Sequence, residues 1–192
     1  MGCDRSSNLC SICSDRGFNV FVSDCLSVPV RTACVDVAIS IAVIHHMSTQ
    51  ERRLAALKEL VRVLRPGGCA LVYVWAKEQK LDNKKSKYVK DSKHPDVDVS
   101  NSIGCEPGSK DTDNTRVLSV HVNRTEFQSS DLLVPWHLRD KQSESSSKSV
   151  FHRYYHVFAQ GELEALCSEL TNVDVTQSYY DQGNWCVELT KH

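Results

Sequence analysis

The segment VDVAISIAVI (35–44) most constrains what this chain can fold into. Its apolar residues run on with little alternation, the pattern of a strand buried on both faces. A second run of this kind, CALVYVW (69–75), follows a stretch with helical period. In that stretch Ser48 and Glu51 make a capping box, and Leu54, Leu57, Val61 and Leu64 form one apolar stripe. Arg65-Pro66-Gly67-Gly68 ends the helix, because proline cannot continue it and glycine accepts the turn. Two buried strands joined by a helix through short loops predict a parallel pair with a right-handed crossover, hence an α/β domain.

FNVFV (18–22) reads as a further strand, and Cys10-Ser11-Ile12-Cys13 lies in a short helix that stops at Gly17. Its C-x-x-C spacing is read as helix packing, since no second pair stands at metal-like spacing and a zinc site wants four ligands. No metal is expected. From Lys77 to Arg116 the patterning collapses: 17 of these 40 residues are charged and apolar residues stand alone. A disordered insertion is expected over 77–117 and a polar linker over 140–149, with a substrate-side segment at 118–139 between them. The lysine-rich stretch from Lys77 to Lys93 reads first as solvated linker, with an electrostatic grip on a nucleic-acid backbone as its functional reading. Order returns over 150–192, where Leu163, Leu166 and Leu170 mark a short amphipathic helix. VDVTQSYY, the turn DQGN and NWCVELT then predict two adjacent antiparallel strands.

Net charge is −1 with a pI near 6.7, so charge alone does not announce a nucleic-acid partner. No apolar run reaches the roughly 18–20 residues of a membrane span, and the start lacks the apolar stretch of a signal peptide. Nine cysteines are scattered, with Cys34, Cys69 and Cys186 in or beside strand-like runs where a thiol serves as a small hydrophobe. That usage points to a reduced compartment, cytoplasmic and also nuclear.

Taken in order, GCDRS, VSDCLSVPV, VDVAISIAVIHHM and RVLRPGGCALVYVW resemble a class I S-adenosylmethionine-dependent methyltransferase, Rossmann-like with a C-terminal antiparallel strand pair. YVWAKEQ, HVNRTEF, LLVPWHL, FHRYYHVF and SYYDQGNWCV narrow the resemblance to the methyltransferase domain of the AlkB-homologue tRNA methyltransferases. These methylate 5-carboxymethyluridine at the tRNA wobble position. The resemblance implies that 1–76 is the S-adenosylmethionine-binding half, with Asp4 on the ribose and Arg5 beside it. It implies Asp24 and Cys25 at the adenine, and Ile41 and Ala42 walling the cofactor near its sulfonium. Methylating an ionised carboxylate needs no general base, so the useful groups are donors that orient it and planes that stack on a base. His46, Arg124, Arg153 and Tyr154 are the candidates at the reacting end, and His45, Trp136 and Tyr155 for contacting the nucleoside.

The implied partners are tRNA and a small zinc-binding activator subunit that covers apolar surface. In the family a first strand, a Gly-rich turn and a helix precede the ribose-binding aspartate, whereas Asp4 follows three residues. An N-terminally truncated methyltransferase with impaired activity is therefore expected. Two further readings stay open: a methyltransferase of the same fold acting on a small-molecule carboxylate or quinone, and a non-catalytic methyltransferase-like binding module.

Overall fold

The computed structural model describes residues 1–90, 118–137 and 150–192. The remainder of the expected 77–117 insertion and the 140–149 linker lie outside the described residues.

The chain begins with a parallel strand pair, β1 (Gly2–Asp4) and β2 (Val20–Val22), joined by helix α1 (Ser7–Asp15). Ser6 caps that helix, its hydroxyl accepting from the Leu9 N–H at 3.3 Å. Cys10 is buried beneath it, its thiol donating to the Phe21 carbonyl at 3.3 Å, which is the packing role read from the sequence.

Strand β3 (Val35–Ile41) leads through a 3-10 turn (Ile44–His46) into α2 (Gln50–Val63) and β4 (Leu64–Trp75). The two strands pair in parallel, as the crossover rule requires. Two short strands, β5 (Lys80–Leu81) and β6 (Lys84–Lys85), form a hairpin. Strands β7 (Ser119–Val120), β8 (Asp131–His137) and β9 (Val150–His156) make a three-stranded sheet. Helix α3 (Glu162–Ser168) precedes the antiparallel pair β10 (Val173–Asp181) and β11 (Asn184–Lys191). The main sheet runs β10-β11-β4-β3, with β11 antiparallel to β4. Leu57 and Val61 of α2 and Leu163 and Leu166 of α3 pack with Ala70, Val72, Val74, Val187 and Leu189 in one core. Each leucine so buried contributes about 1.5–3 kcal/mol of transfer free energy.

Several expectations need correction. The run 35–44 is not buried on both faces: Val37, Ile39 and Ile41 are 59%, 64% and 55% exposed. Helix α2 packs against β3, yet leaves these three side chains uncovered. The strand also stops at Ile41, since Ala42 takes a positive φ of 59° and breaks the extended run. The helix cap is Thr49 rather than Ser48, its hydroxyl accepting from the Arg52 N–H at 3.3 Å. Arg65–Gly68 belongs to β4 and forms an irregularity in its pairing with β3, with Gly67 at a φ of 78°. Part of the expected insertion is ordered: the β5–β6 hairpin turns Tyr88 into an aromatic cluster. Cys34 and Cys69 are exposed thiols, not core fillers; Cys186 is buried.

Candidate functional site

Asp4 ends β1, exposed, with one carboxylate oxygen accepting from the Ser6 N–H at 2.7 Å. Arg5 follows it at the surface. Asp24 stands beyond the end of β2, where Oδ1 accepts from the Leu26 N–H at 2.9 Å and so sets the turn. Cys25 is half-buried, and its thiol is pushed up first by burial and then by the Asp24 charge. Ile41 and Ala42 close β3, the Ala42 N–H donating to the Tyr73 carbonyl at 3.1 Å. Each of these residues lies at the carboxyl end of its strand, where open α/β sheets bind ligands.

At the carboxyl ends of β3 and β4 the 3-10 turn presents two histidines to β9. His45 is 1% exposed and stacks on Tyr155 with ring centroids 4.9 Å apart. Its Nδ1 accepts from the Trp75 N–H at 3.4 Å, which puts the ring proton on Nε2. Burial, with His46 and His156 adding, holds its pKa at about 3, so the ring is neutral at physiological pH. His46 meets the Tyr155 ring edge-on at 4.5 Å and donates from Nδ1 to the Tyr154 carbonyl, 3.2 Å away. Desolvation lowers its pKa against the raising effect of that hydrogen bond, and Arg153 lowers it further. A neutral His46 in this tautomer offers Nε2 only as an acceptor. Arg153 is the cationic side chain beside His46 and Tyr155.

Trp75 stacks beside Tyr155 at 4.7 Å, and Tyr88 and Phe127 complete the aromatic wall. Tyr154 faces the other side of its strand. Its hydroxyl donates to Asp131 and lies 3.4 Å from the Ser48 carbonyl, so it serves structure rather than the Tyr155 side. Burial and the Asp131 carboxylate raise its pKa well above the usual tyrosine range. Trp136 is 43% exposed, with Arg153 over its ring at 5.0 Å, and lies toward the far end of the hairpin from Tyr155. Arg124 holds a positive φ of 68°, its carbonyl accepting from the Lys90 N–H at 3.2 Å. The structure therefore joins His45, His46, Arg153 and Tyr155, and sets Tyr154, Trp136 and Arg124 apart from their shared centre.

Sequence reading missed the group behind Tyr154. His156 lies between Asp131, 2.8 Å from Nδ1, and Glu162, 2.5 Å from Nε2. Arg53 of α2 is buried beside them, with its guanidinium 5.8 Å from the centre of the Phe158 ring and donating to the Met47 carbonyl. The available signal was the polarity of HRYYH within a strand; its carboxylate partners stand 25 and 6 residues away in sequence.

The family described as a methyltransferase domain matches residues 1–72. A tRNA (carboxymethyluridine(34)-5-O)-methyltransferase of Xenopus tropicalis is 52% identical over 204 residues, covering 100% of this chain and 32% of the relative. The Schizosaccharomyces pombe protein of the same name is 33% identical over 204 residues, covering 100% of this chain and 72% of its own length. The chain thus spans about a third of the animal relatives. An S-adenosylmethionine-dependent methyltransferase from Clostridium acetobutylicum superposes with a TM-score of 0.58 at 9% identity, over 98% of this chain and 73% of that one. A methyltransferase from Streptomyces caelestis gives 0.57 at 10% identity, over 100% and 78%. These solved structures carry the fold: class I, Rossmann-like. Given the identity and coverage of its relatives, the chain belongs to the family of the tRNA (carboxymethyluridine(34)-5-O)-methyltransferases.

Proposed function

We propose that this chain carries the methyl-transfer site of a tRNA methyltransferase, which esterifies the carboxylate of 5-carboxymethyluridine at the wobble position. The observation that carries the reading is one juxtaposition. Two acidic strand tips suited to a nucleoside accompany a carboxyl end of β3 and β4 lined by neutral histidines, a stacked tyrosine and one arginine. The names of the relatives support the same reaction and substrate.

The residues fit S-adenosylmethionine. Asp4 is exposed with one oxygen already fixed by Ser6, the arrangement of a carboxylate oriented for a ribose diol. When bound, the cofactor supplies an electrophilic methyl group on a sulfonium. Arg153 offers the cationic N–H groups that orient an acceptor carboxylate. Tyr155, held between His45 and Trp75, offers a fixed ring edge against which a pyrimidine is positioned. No side chain has to remove a proton, because the acceptor is already an anion at neutral pH. The neutral state of His45 and His46 fits this demand, since neither adds a charge competing for that carboxylate. Catalysis by these groups is alignment in a partly dry pocket.

The zinc-binding activator subunit implied by the resemblance belongs to the same proposal, supported by the uncovered apolar side chains Val37, Ile39 and Ile41. Residence in the cytoplasm and nucleus goes with it. The test is calorimetric titration of S-adenosylmethionine, with the activator present, followed by methyl transfer to carboxymethyl-bearing tRNA. Saturable binding that Asp4→Ala weakens at least tenfold, about the 1.4 kcal/mol of one charge-assisted contact, is the expected result. Cofactor binding with transfer to a free carboxylic acid and none to tRNA would replace this reading by the small-molecule one. Absence of cofactor binding would favour the non-catalytic module.

A further inference from the structure

One face of the β8–β9 hairpin runs from the candidate site to open solvent. Cross-strand pairing places Leu132 opposite Tyr155, Val134 opposite Arg153 and Trp136 opposite Phe151. Side chains two residues apart share a face, so these six form one surface. Its inner end is buried with Phe127 and Val157 and meets His45 and Trp75 through Tyr155. Its outer end is uncovered: Trp136 and Phe151 are 43% and 51% exposed, their ring centroids 6.0 Å apart. Tyr155 and Phe151 are four strand residues apart, about 13 Å at the usual rise of roughly 3.3 Å per residue. One base cannot touch both ends.

Resting on the tRNA reading above, we propose that Trp136 and Phe151 form a stacking platform for a nucleotide flanking the acceptor, separate from the pocket at Tyr155. Two exposed aromatic side chains paired across strands, their rings tilted at 49° to each other, offer apolar faces to solvent. Every base presents a π-face to such a surface whatever its sequence. Arg153 lies over Trp136 at 5.0 Å and so adds a cation at the edge of the platform nearer Tyr155. The flank is cationic as well. Asn123 donates to the Pro135 carbonyl at 3.1 Å beside the platform. Its neighbour Arg124 holds the backbone of Lys90, and Lys87 lies three residues before that. Aromatic planes with basic residues beside them fit single-stranded RNA better than an apolar protein surface.

The test uses the full chain and a short single-stranded oligouridylate carrying no modification. Trp185 is buried and Trp75 is half-buried at the Tyr155 end, so the quenching assigned to Trp136 is the part that Trp136→Phe removes. Expected results are quenching that is markedly smaller in Trp136→Phe, and affinity reduced about tenfold or more in Trp136→Ala and Phe151→Ala, the size of one base-stacking contact. S-adenosylmethionine affinity and melting temperature should be unchanged in all three variants. RNA binding of wild-type strength in Trp136→Ala, or quenching undiminished in Trp136→Phe, would overturn the platform while leaving the RNA substrate standing. A wild-type chain that binds S-adenosylmethionine but no RNA would bring down both. If Trp136→Ala instead dissolves self-association of the chain, the hairpin tip is a protein interface and the platform falls.

Discussion

Replacing His156 by alanine should destabilise the fold by about 2–3 kcal/mol at neutral pH, a loss that shrinks in acid. The imidazole has a carboxylate oxygen at each nitrogen, Asp131 at 2.8 Å and Glu162 at 2.5 Å. Two charge-assisted hydrogen bonds at roughly 1.5–3 kcal/mol each set an upper bound near 6. Solvent screens part of that, because the Asp131 and Glu162 side chains are 49% and 34% exposed. The ring also packs edge-on against Phe158 at 4.9 Å, and that contact is lost with it. The pH dependence follows from the carboxylates. Burial alone would raise Asp131, but hydrogen bonds from Tyr154 and His156 outweigh it and leave its pKa lowered. Glu162 behaves alike: burial raises it, and the bonds from His156 and the Ala159 N–H bring it below the usual value. A carboxylate depressed in the folded state stabilises above its unfolded pKa and loses that contribution as pH falls through the folded one. The gap between wild type and variant should therefore be full above about pH 5 and close as pH drops below roughly 4. Urea unfolding at stepped pH measures it. A variant within about 0.5 kcal/mol of wild type at pH 7 would refute the network as a stabiliser, the scatter expected of surface changes. A gap that persists unchanged in acid would show that packing, not charge, was lost.

Two further substitutions test the frame around the site. A Cβ at Gly68 would stand 2.9 Å from the Arg65 carbonyl oxygen and 3.0 Å from that of Asp36, both backbone atoms, so Gly68→Ala should cost about 1–3 kcal/mol by urea unfolding. Arg62→Ala removes donations to the Val28 and Val30 carbonyls at 2.8 and 2.9 Å and the pairing with Glu59 at 2.7 Å. Discounted for partial exposure, it should cost about 1–2 kcal/mol and speed amide exchange at Val28, whose N–H donates to Glu59.

The β3-α2-β4 crossover and the β10–β11 pair were legible because their signals are local: apolar runs, a helical stripe, and a turn around Gly183. Asp4, Asp24 and Ala42 were named only through the family resemblance, and the structure places them at or just past strand ends. Periodicity does not reveal which face of a strand another element will cover, which is why the exposure of Val37, Ile39 and Ile41 was missed. Ser48 and Thr49 are adjacent hydroxyls of equal capping chemistry, and only the backbone decides between them. Tyr154 and Tyr155 read alike in sequence, yet strand alternation sends one to Asp131 and the other to His45. The Asp131–His156–Glu162 group depends on a hairpin register that no local pattern encodes.

The candidate site is divided among three sheets. Asp4 and Asp24 belong to the β1–β2 ribbon, while His45, His46 and Tyr155 gather at the ends of β3, β4 and β9. Among the described residues no ladder joins β1 to β3, so backbone hydrogen bonding does not fix the distance between the halves. Side chains of α2 take over that task. Arg62 and Glu59 grip the segment after Asp24 through Val28 and Val30, and Cys25 and Leu26 pack on the main core. The helix thus reaches both halves, since its first turn follows the histidine turn and its last turns hold the Asp24 loop. A few partly exposed polar contacts open at lower free energy than a sheet ladder does. Cofactor affinity should accordingly track the integrity of α2: Arg62→Ala, remote from every reacting group, should weaken S-adenosylmethionine binding by displacing Asp24 rather than by removing any contact with the ligand.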